Sequence, residues 1–201
     1  VRILNCILYL KPGYMTKILQ LFGTEYQLAK SLINKDERAQ RYFYEKYSGK
    51  FLGICCRYIS DRMEAEDVMV ESMMKIFEKV NQFNFSGSFE GWSKRIVVNE
   101  ALMFLRKRKS MNVEYDDQYF DEPEIQEAGN LETEDLLEIV NSLPEGYKTV
   151  FNLYAIEGYS HTEISQLLNI SEGTSKSQLS RARVILQQKV MKNNTINYNH
   201  L

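Results

Sequence analysis

Gly158–Gln187 reads GYSHTEISQLLNISEGTSKSQLSRARVILQ and contains two helix starts separated by a tight turn. Ser160 and Glu163 form an S-x-x-E capping box, in which side chain and backbone satisfy each other at a helix N-terminus. Ser171 is a second N-cap, and Glu172 behind it suits the positive end of the helix dipole. The first helix puts Ile164, Leu167 and Leu168 on one face, and Asn169-Ile170 make the turn. The second helix keeps Leu179, Ala182 and Leu186 for the core. Its outer face carries Thr174, Lys176, Ser177, Gln178 and Arg181. A short helix, a turn and a polar-faced second helix is a helix-turn-helix pattern. Those side chains suit base edges and phosphates of a major groove. An ordinary αα-hairpin with a solvated face has the same local pattern, so the rest of the chain decides between them.

The charge is unevenly distributed. The net charge of −2 looks wrong for a DNA-binding protein, but residues 110–135 hold ten acids and no Lys or Arg. Without them, seventeen acids face twenty-five bases, so a basic body carries an acidic connector. That connector has few aliphatic residues and buries too little to fold alone, so a flexible linker is expected over 110–132.

Upstream, Ala39, Phe43, Tyr47, Phe51 and Tyr58 repeat nearly every four residues from Asp36, with Ile54 beside them. This is an amphipathic stripe, and its aromatic rings are read as core. Asp61 opens the next helix, with Glu64 as its capping-box partner and Met69, Met73, Ile76 and Val80 buried. Glu64, Asp67 and Glu71 share its outer face, which spacing alone reads as solvated. Asn81–Gly91, NQFNFSGSFEG, is a loop by composition but holds Phe83, Phe85 and Phe89. Rings on a polar loop suit unpaired bases, since every base has a face to stack. The alternative is that rings plug the loop onto the core, and Phe89 is assigned that role. The following helix, Phe89–Lys109, buries Trp92, Ile96, Leu102 and Leu105. Lys94, Arg95, Arg106, Lys107, Arg108 and Lys109 are six bases within sixteen residues, more than capping a dipole requires, and they suit phosphates.

A final module starts near Leu131. Leu136, Ile139, Val140 and Leu143 make its first helix. Pro144 opens a second, with Val150, Phe151, Tyr154 and Ile156 for the core and Gly158 as its terminator. The helix-turn-helix completes four helices. The tail after Lys192 is expected to fray.

The remaining features exclude function classes. Cys6, Cys55 and Cys56 include no CxxC, and His161 and His200 stand alone, so neither a zinc site nor any other cofactor is expected, and a reducing cytoplasm fits. The apolar run Ile3–Leu10 is broken by Asn5 and too short for a membrane span. Residues 1–25 are read as an N-terminal extension, with Met15 a candidate start. No cluster of carboxylates or nucleophile with base supports an enzyme, and no small-molecule substrate is implied. A stand-alone operator-binding regulator leaves the aromatic loop without a role. A decoy that only binds a regulatory protein leaves the basic recognition helix without one.

Taken together the chain resembles the extracytoplasmic-function sigma factors of bacterial RNA polymerase. The resemblance covers residues 36–190 and rests on AEDVMVESMMKIF (65–77), GWSKRIVVNEALMFLRKRK (91–109) and LPEGYKTVFNLYAIEGYSHTEISQLLNISEGTSKSQLSRAR (143–183). It implies an all-α protein of two small helical modules, a region 2-like bundle over 26–109 and a region 4-like helix-turn-helix over 133–192. The acidic linker lies between them and a disordered tail over 193–201 follows.

The implied partners are core RNA polymerase, through its largest-subunit coiled coil and its flap, promoter DNA and an anti-sigma factor. The resemblance implies that Glu64, Asp67 and Glu71 dock on the polymerase. Asn81, Phe83, Asn84, Phe85, Ser86, Lys94, Arg95, Asn99, Arg106 and Lys107 would hold the unwound −10 strand. Thr174, Lys176, Ser177, Gln178 and Arg181 would read the −35 duplex. The chain departs from the family's usual residues at Val70 (often Gln), Met103 (often Asp), Ser175 (usually apolar) and Gln178 (usually Arg). The last two bear on recognition-helix packing and promoter preference.

Overall fold

The computed structural model describes residues 24–111 and 139–198, with side chains over 24–108 and 139–191. Every regular element among them is helical. The chain divides into two compact units, 1–108 and 109–201.

In the first unit, α1 (Glu25–Ile33) starts at Thr24, whose hydroxyl accepts the Gln27 N–H at 3.2 Å. Helix α2 (Glu37–Tyr58) starts at Asp36, which accepts the Arg38 N–H at 2.9 Å. Hydrogen bonding to Arg38 outweighs burial and holds the Asp36 carboxyl below its ordinary range. Helix α3 (Arg62–Lys79) starts at Asp61, which accepts the Glu64 N–H at 2.9 Å. Glu64 does not reach back to complete a capping box, because its carboxylate takes Arg108 Nη1 at 3.2 Å. A single turn, Val80–Gln82, leads into the loop before α4 (Phe89–Met111).

The aromatic stripe is the centre of this unit. Ala39, Phe43, Tyr47, Phe51, Ile54 and Tyr58 are all buried. The Phe43 ring meets Tyr47 at 4.8 Å, Phe51 at 5.9 Å, Phe77 at 5.7 Å and Phe89 at 5.6 Å, joining α2 to α3 and α4. Met69, Met73, Ile76 and Val80 are buried as expected. On α4 the buried face is Phe89, Ser93, Val97, Val98, Ala101, Leu102 and Leu105. Trp92 and Ile96, expected inside with Leu102 and Leu105, sit half-buried on the flank of that stripe. Both cysteines of α2 are free thiols, and burial pushes Cys55 up to about 12, so it is inert at neutral pH.

In the second unit, residues 139–141 are helical, Ile139 and nearby Leu143 are buried, and Leu136 lies outside the described residues. Pro144 then precedes α5 (Glu145–Phe151). The chain continues through a π-helical turn, Asn152–Ile156, closed by Glu157 N–H to Asn152 C=O at 3.0 Å. The wider turn changes which residues face inward. Asn152 and Leu153 are buried, whereas Tyr154 and Ile156, expected in the core, are exposed. Gly158 has φ +78° and ends the segment, as its place after the helix requires.

Helices α6 (His161–Leu168) and α7 (Glu172–Tyr198) form the helix-turn-helix. The helices extend further than expected at two places. Ser110 and Met111 continue α4, and residues 193–198 of the expected tail continue α7, where no Gly or Pro interrupts it. The remainder of the acidic linker, residues 1–23 and 199–201 lie outside the described residues.

Phe43→Ala and Phe89→Ala should each lower stability by about 3–5 kcal/mol in urea denaturation. The double variant should lose less than the sum, because the two rings would leave one shared cavity. Strict additivity would show that they do not form one packing unit.

Candidate nucleic-acid interfaces

The loop before α4 owes its shape to its own polar groups. Asn84 Oδ1 accepts the Ser86 N–H at 3.1 Å and the Ser86 hydroxyl at 2.7 Å, closing an Asx turn. Between them Phe85 has φ +60°, a left-handed backbone unusual for an aromatic residue, and Gly87 follows at φ +95°. The three rings of the loop separate by role. Phe89 is fully buried, as expected. Phe83 is only 6% exposed, wedged against Phe85 at 5.1 Å, Phe89 at 5.1 Å and Trp92 at 5.7 Å. It therefore supports the loop from below rather than offering a face to a base, which corrects its assignment as a strand contact. Phe85 is 38% exposed and is the ring the loop presents. Asn81, Asn84 and Ser86 are exposed beside it, with the Asn84 oxygen engaged in the turn.

Two residues outside the expected set hold this loop. Glu25 accepts the Phe89 N–H at 2.7 Å, the Glu90 N–H at 3.4 Å and the Ser88 hydroxyl at 3.0 Å, capping α4 from another helix. Tyr26 packs its ring on Phe85 at 4.9 Å. No local pattern finds the Glu25 contact, because its partners lie more than sixty residues away. Thr24-Glu25 itself does read as a helix start.

Along α4, Arg95, Asn99, Arg106 and Lys107 are exposed. Lys94 is drawn into an ion pair with Glu90 at 3.0 Å, and Glu90 also binds Lys50 at 3.2 Å. Burial raises the Glu90 carboxyl, but the Lys94 and Lys50 hydrogen bonds outweigh it and hold it below its ordinary value. Lys94 thus brings a partly neutralised charge to any phosphate, and Arg95 and Arg106 bring whole ones. On α3, Asp67 and Glu71 are exposed and have no ion pair among the described residues. Glu64 differs: it is half-buried and paired with Arg108, an ion pair that links α3 to α4. Met63 and Met74 are exposed on α3 along with Asp67 and Glu71.

The helix-turn-helix is built as its caps dictate. Ser160 and Glu163 form the full capping box. Asn169 takes the left-handed conformation at φ 55°, and Ser171 accepts the Thr174 N–H at 2.9 Å. Thr162 donates to Glu172 at 2.7 Å, tying α6 to the start of α7. Thr174, Lys176 and Ser177 are exposed. Gln178 and Arg181 are half-buried at the α5 side. A Cβ on Gly146 would meet the Gln178 amide nitrogen at 3.5 Å, and Arg181 Nη1 donates to the Tyr147 hydroxyl at 3.4 Å. These two side chains therefore sit at the edge of the outer face, in contact with α5.

Ser175, where an apolar residue is usual, is fully buried with its hydroxyl 2.9 Å from His161 Nδ1. The His161 ring stacks on Tyr154 at 4.5 Å. A buried polar group with a partner costs little, and His161 supplies that partner to Ser175. Among the described residues no group of His, Cys, Asp and Glu could hold a metal ion, and no helix is long and apolar enough to cross a membrane.

Comparison with known proteins follows these two units. Residues 43–111 match sigma-70 region 2, and residues 133–186 match sigma-70 region 4. The chain is 26% identical to the ECF RNA polymerase sigma-E factor of Haemophilus influenzae, over 83% of this chain and 95% of that protein. It is 29% identical to the RNA polymerase sigma-H factor of Pseudomonas aeruginosa, over 78% of this chain and 89% of that one. Its fold is similar to that of the sigma factor RpoE from Bartonella quintana, solved in complex with the anti-sigma factor NepR. That similarity has a TM-score of 0.50 at 23% identity and covers 74% of this chain and 94% of that one. With both regions present in order, and relatives matched along most of their length, the chain belongs to the extracytoplasmic-function sigma factors.

Proposed function

We propose that this protein directs core RNA polymerase to specific promoters, docking through α3, capturing the unwound −10 strand with the 81–91 loop and α4, and reading the −35 duplex with α7. The observation that carries this reading is the separation of surfaces within one chain. An exposed ring and unpaired-base hydrogen-bonding groups lie before a basic helix in one unit, and an exposed polar recognition face lies in the other. Duplex readout alone needs only the second. Opening a duplex costs stacking energy at each step, which only new surfaces for the freed bases can offset. The protein itself then supplies binding and no bond chemistry. A stand-alone operator-binding regulator leaves Phe85 and the free acids of α3 without a role. An anti-sigma protein is a further partner in this reading, as one is bound to the Bartonella sigma factor.

Within the −10 surface, Phe85 supplies the stacking face, Asn81 and Ser86 the polar groups for a base edge, and Arg95, Asn99, Arg106 and Lys107 the backbone contacts. Within the −35 surface, Lys176 is a phosphate contact, Thr174 and Ser177 approach base edges, and Gln178 and Arg181 act at the margin. The Asp67–Glu71 face meets a basic helix of the polymerase, with Met63 and Met74 adding apolar contact.

Reversing Asp67 and Glu71 to Lys should weaken core polymerase binding by several kcal/mol, since like charges would meet at the interface, while thermal stability stays unchanged. Unaltered affinity in a holoenzyme assembly titration would remove this face from the interface. Replacing Asn81 and Phe85 with Ala should abolish permanganate reactivity of −10 thymines on duplex promoters. A template mismatched over the −10 region should partly restore transcription. Normal reactivity on duplex DNA would show that another surface captures the strand.

A further inference from the structure

Helix α1 lies before the segment that matches sigma-70 region 2, which begins at residue 43, yet it supplies two neighbours of the strand-facing loop. The first is a carboxylate. Glu25 takes the Phe89 N–H at 2.7 Å, the Glu90 N–H at 3.4 Å and the Ser88 hydroxyl at 3.0 Å, and so fixes the point where the loop enters α4. The second is a ring. Tyr26, one residue on, is 57% exposed and lies 4.9 Å from Phe85 at an interplanar angle of 49°. Among the described residues of the first unit, Tyr26 and Phe85 are the exposed aromatic residues, and they are in contact. Phe85 reaches this position through a left-handed backbone at φ +60°, a conformation that persists only where the surroundings enforce it. Strained backbone, a cross-helix cap and two adjacent solvent-facing rings therefore converge at one point.

We propose that α1 completes the strand-capture site. Tyr26 forms a composite stacking platform with Phe85 for an unpaired base, and Glu25 is the positioning residue that holds Tyr26 and the loop in register. The proposal rests on reading the 81–91 loop as the capture loop. The chemistry fits: two tilted rings offer π-faces at different angles, so a flexible single strand finds a stacking partner without a sequence code.

The test uses holoenzyme assembled from core polymerase and the full chain. Its probe is a fluorescein-labelled single-stranded oligonucleotide carrying the −10 nontemplate strand of a promoter recovered by run-off transcription from random fragments. Tyr26→Leu keeps an apolar cover on Phe85 but removes the π-face, and should lower affinity about tenfold, the scale of one lost base stack. Tyr26→Phe should bind like the unaltered protein. Glu25→Ala should also lose affinity, and Glu25→Gln, which keeps an acceptor oxygen, should lose less. Core polymerase affinity should be unchanged in all four, and Tyr26→Leu should melt at the unaltered temperature. Phe85→Ala separates the proposal from the reading beneath it. If Phe85→Ala loses the strand and Tyr26→Leu does not, α1 is no part of the site and the loop reading stands. If neither loses it, both fall. Equal losses for Tyr26→Leu and Tyr26→Phe would overturn stacking as the role of Tyr26.

Discussion

The first unit depends on one ring. Phe43 is fully buried and touches aromatic side chains from its own helix, from α3 and from the start of α4. Because it meets Phe89, the first residue of α4, it fixes where the basic helix begins. Because Phe89 in turn supports Phe83 and Trp92, it also fixes the platform under the loop. The proposed strand-capture surface is thus the outer layer of a stacked aromatic core, and burial of large rings stabilises that core and holds Phe85 outward. The Glu25 carboxylate closes the same corner from the other side by satisfying N–H groups that helix geometry leaves unpaired.

Electrostatics then divides the outer surface. Acid and base are not simply solvated on α3 and α4. Glu64 pairs with Arg108 across α3 and α4, and Glu90 is shared between Lys50 of α2 and Lys94 of its own helix. On α3 the acids that remain exposed and without an ion pair are Asp67, Glu71 and Glu78, while Glu64 is withdrawn into its pair with Arg108. In the second unit the same economy applies to α7. Ser171, Thr174 and Ser177 spend hydrogen bonds on their own helix start, and Arg181 leans on Tyr147. Lys176 extends furthest from such commitments, held only by a 3.9 Å ion pair to Glu172.

Much of this is legible in the sequence, and the reason is locality. Caps at Asp36, Asp61, Ser160 and Ser171 involve residues two to three apart, and the stripe from Ala39 to Tyr58 needs only helical periodicity. Features that depend on the fold were not legible. Glu25 meets α4 across more than sixty residues. Phe83 and Phe85 have the same type and the same loop, and only the left-handed backbone between Asn84 and Ser86 sends one inward and the other outward. Tyr154 and Ile156 fit a helical core pattern, but a π-helical turn rotates them out and Leu153 in. Ser175 looks like a packing defect until His161 is placed beside it.

In the proposed function, two surfaces in one chain serve polymerase-dependent promoter opening rather than autonomous duplex binding. Run-off transcription with purified core polymerase on a library of random DNA fragments tests it most directly. Transcripts should appear only when core polymerase and this chain are combined, starting downstream of fragments that share a −35 and a −10 element. Fragments bound tightly by the chain alone, with no chain-dependent transcript from core polymerase, would contradict it.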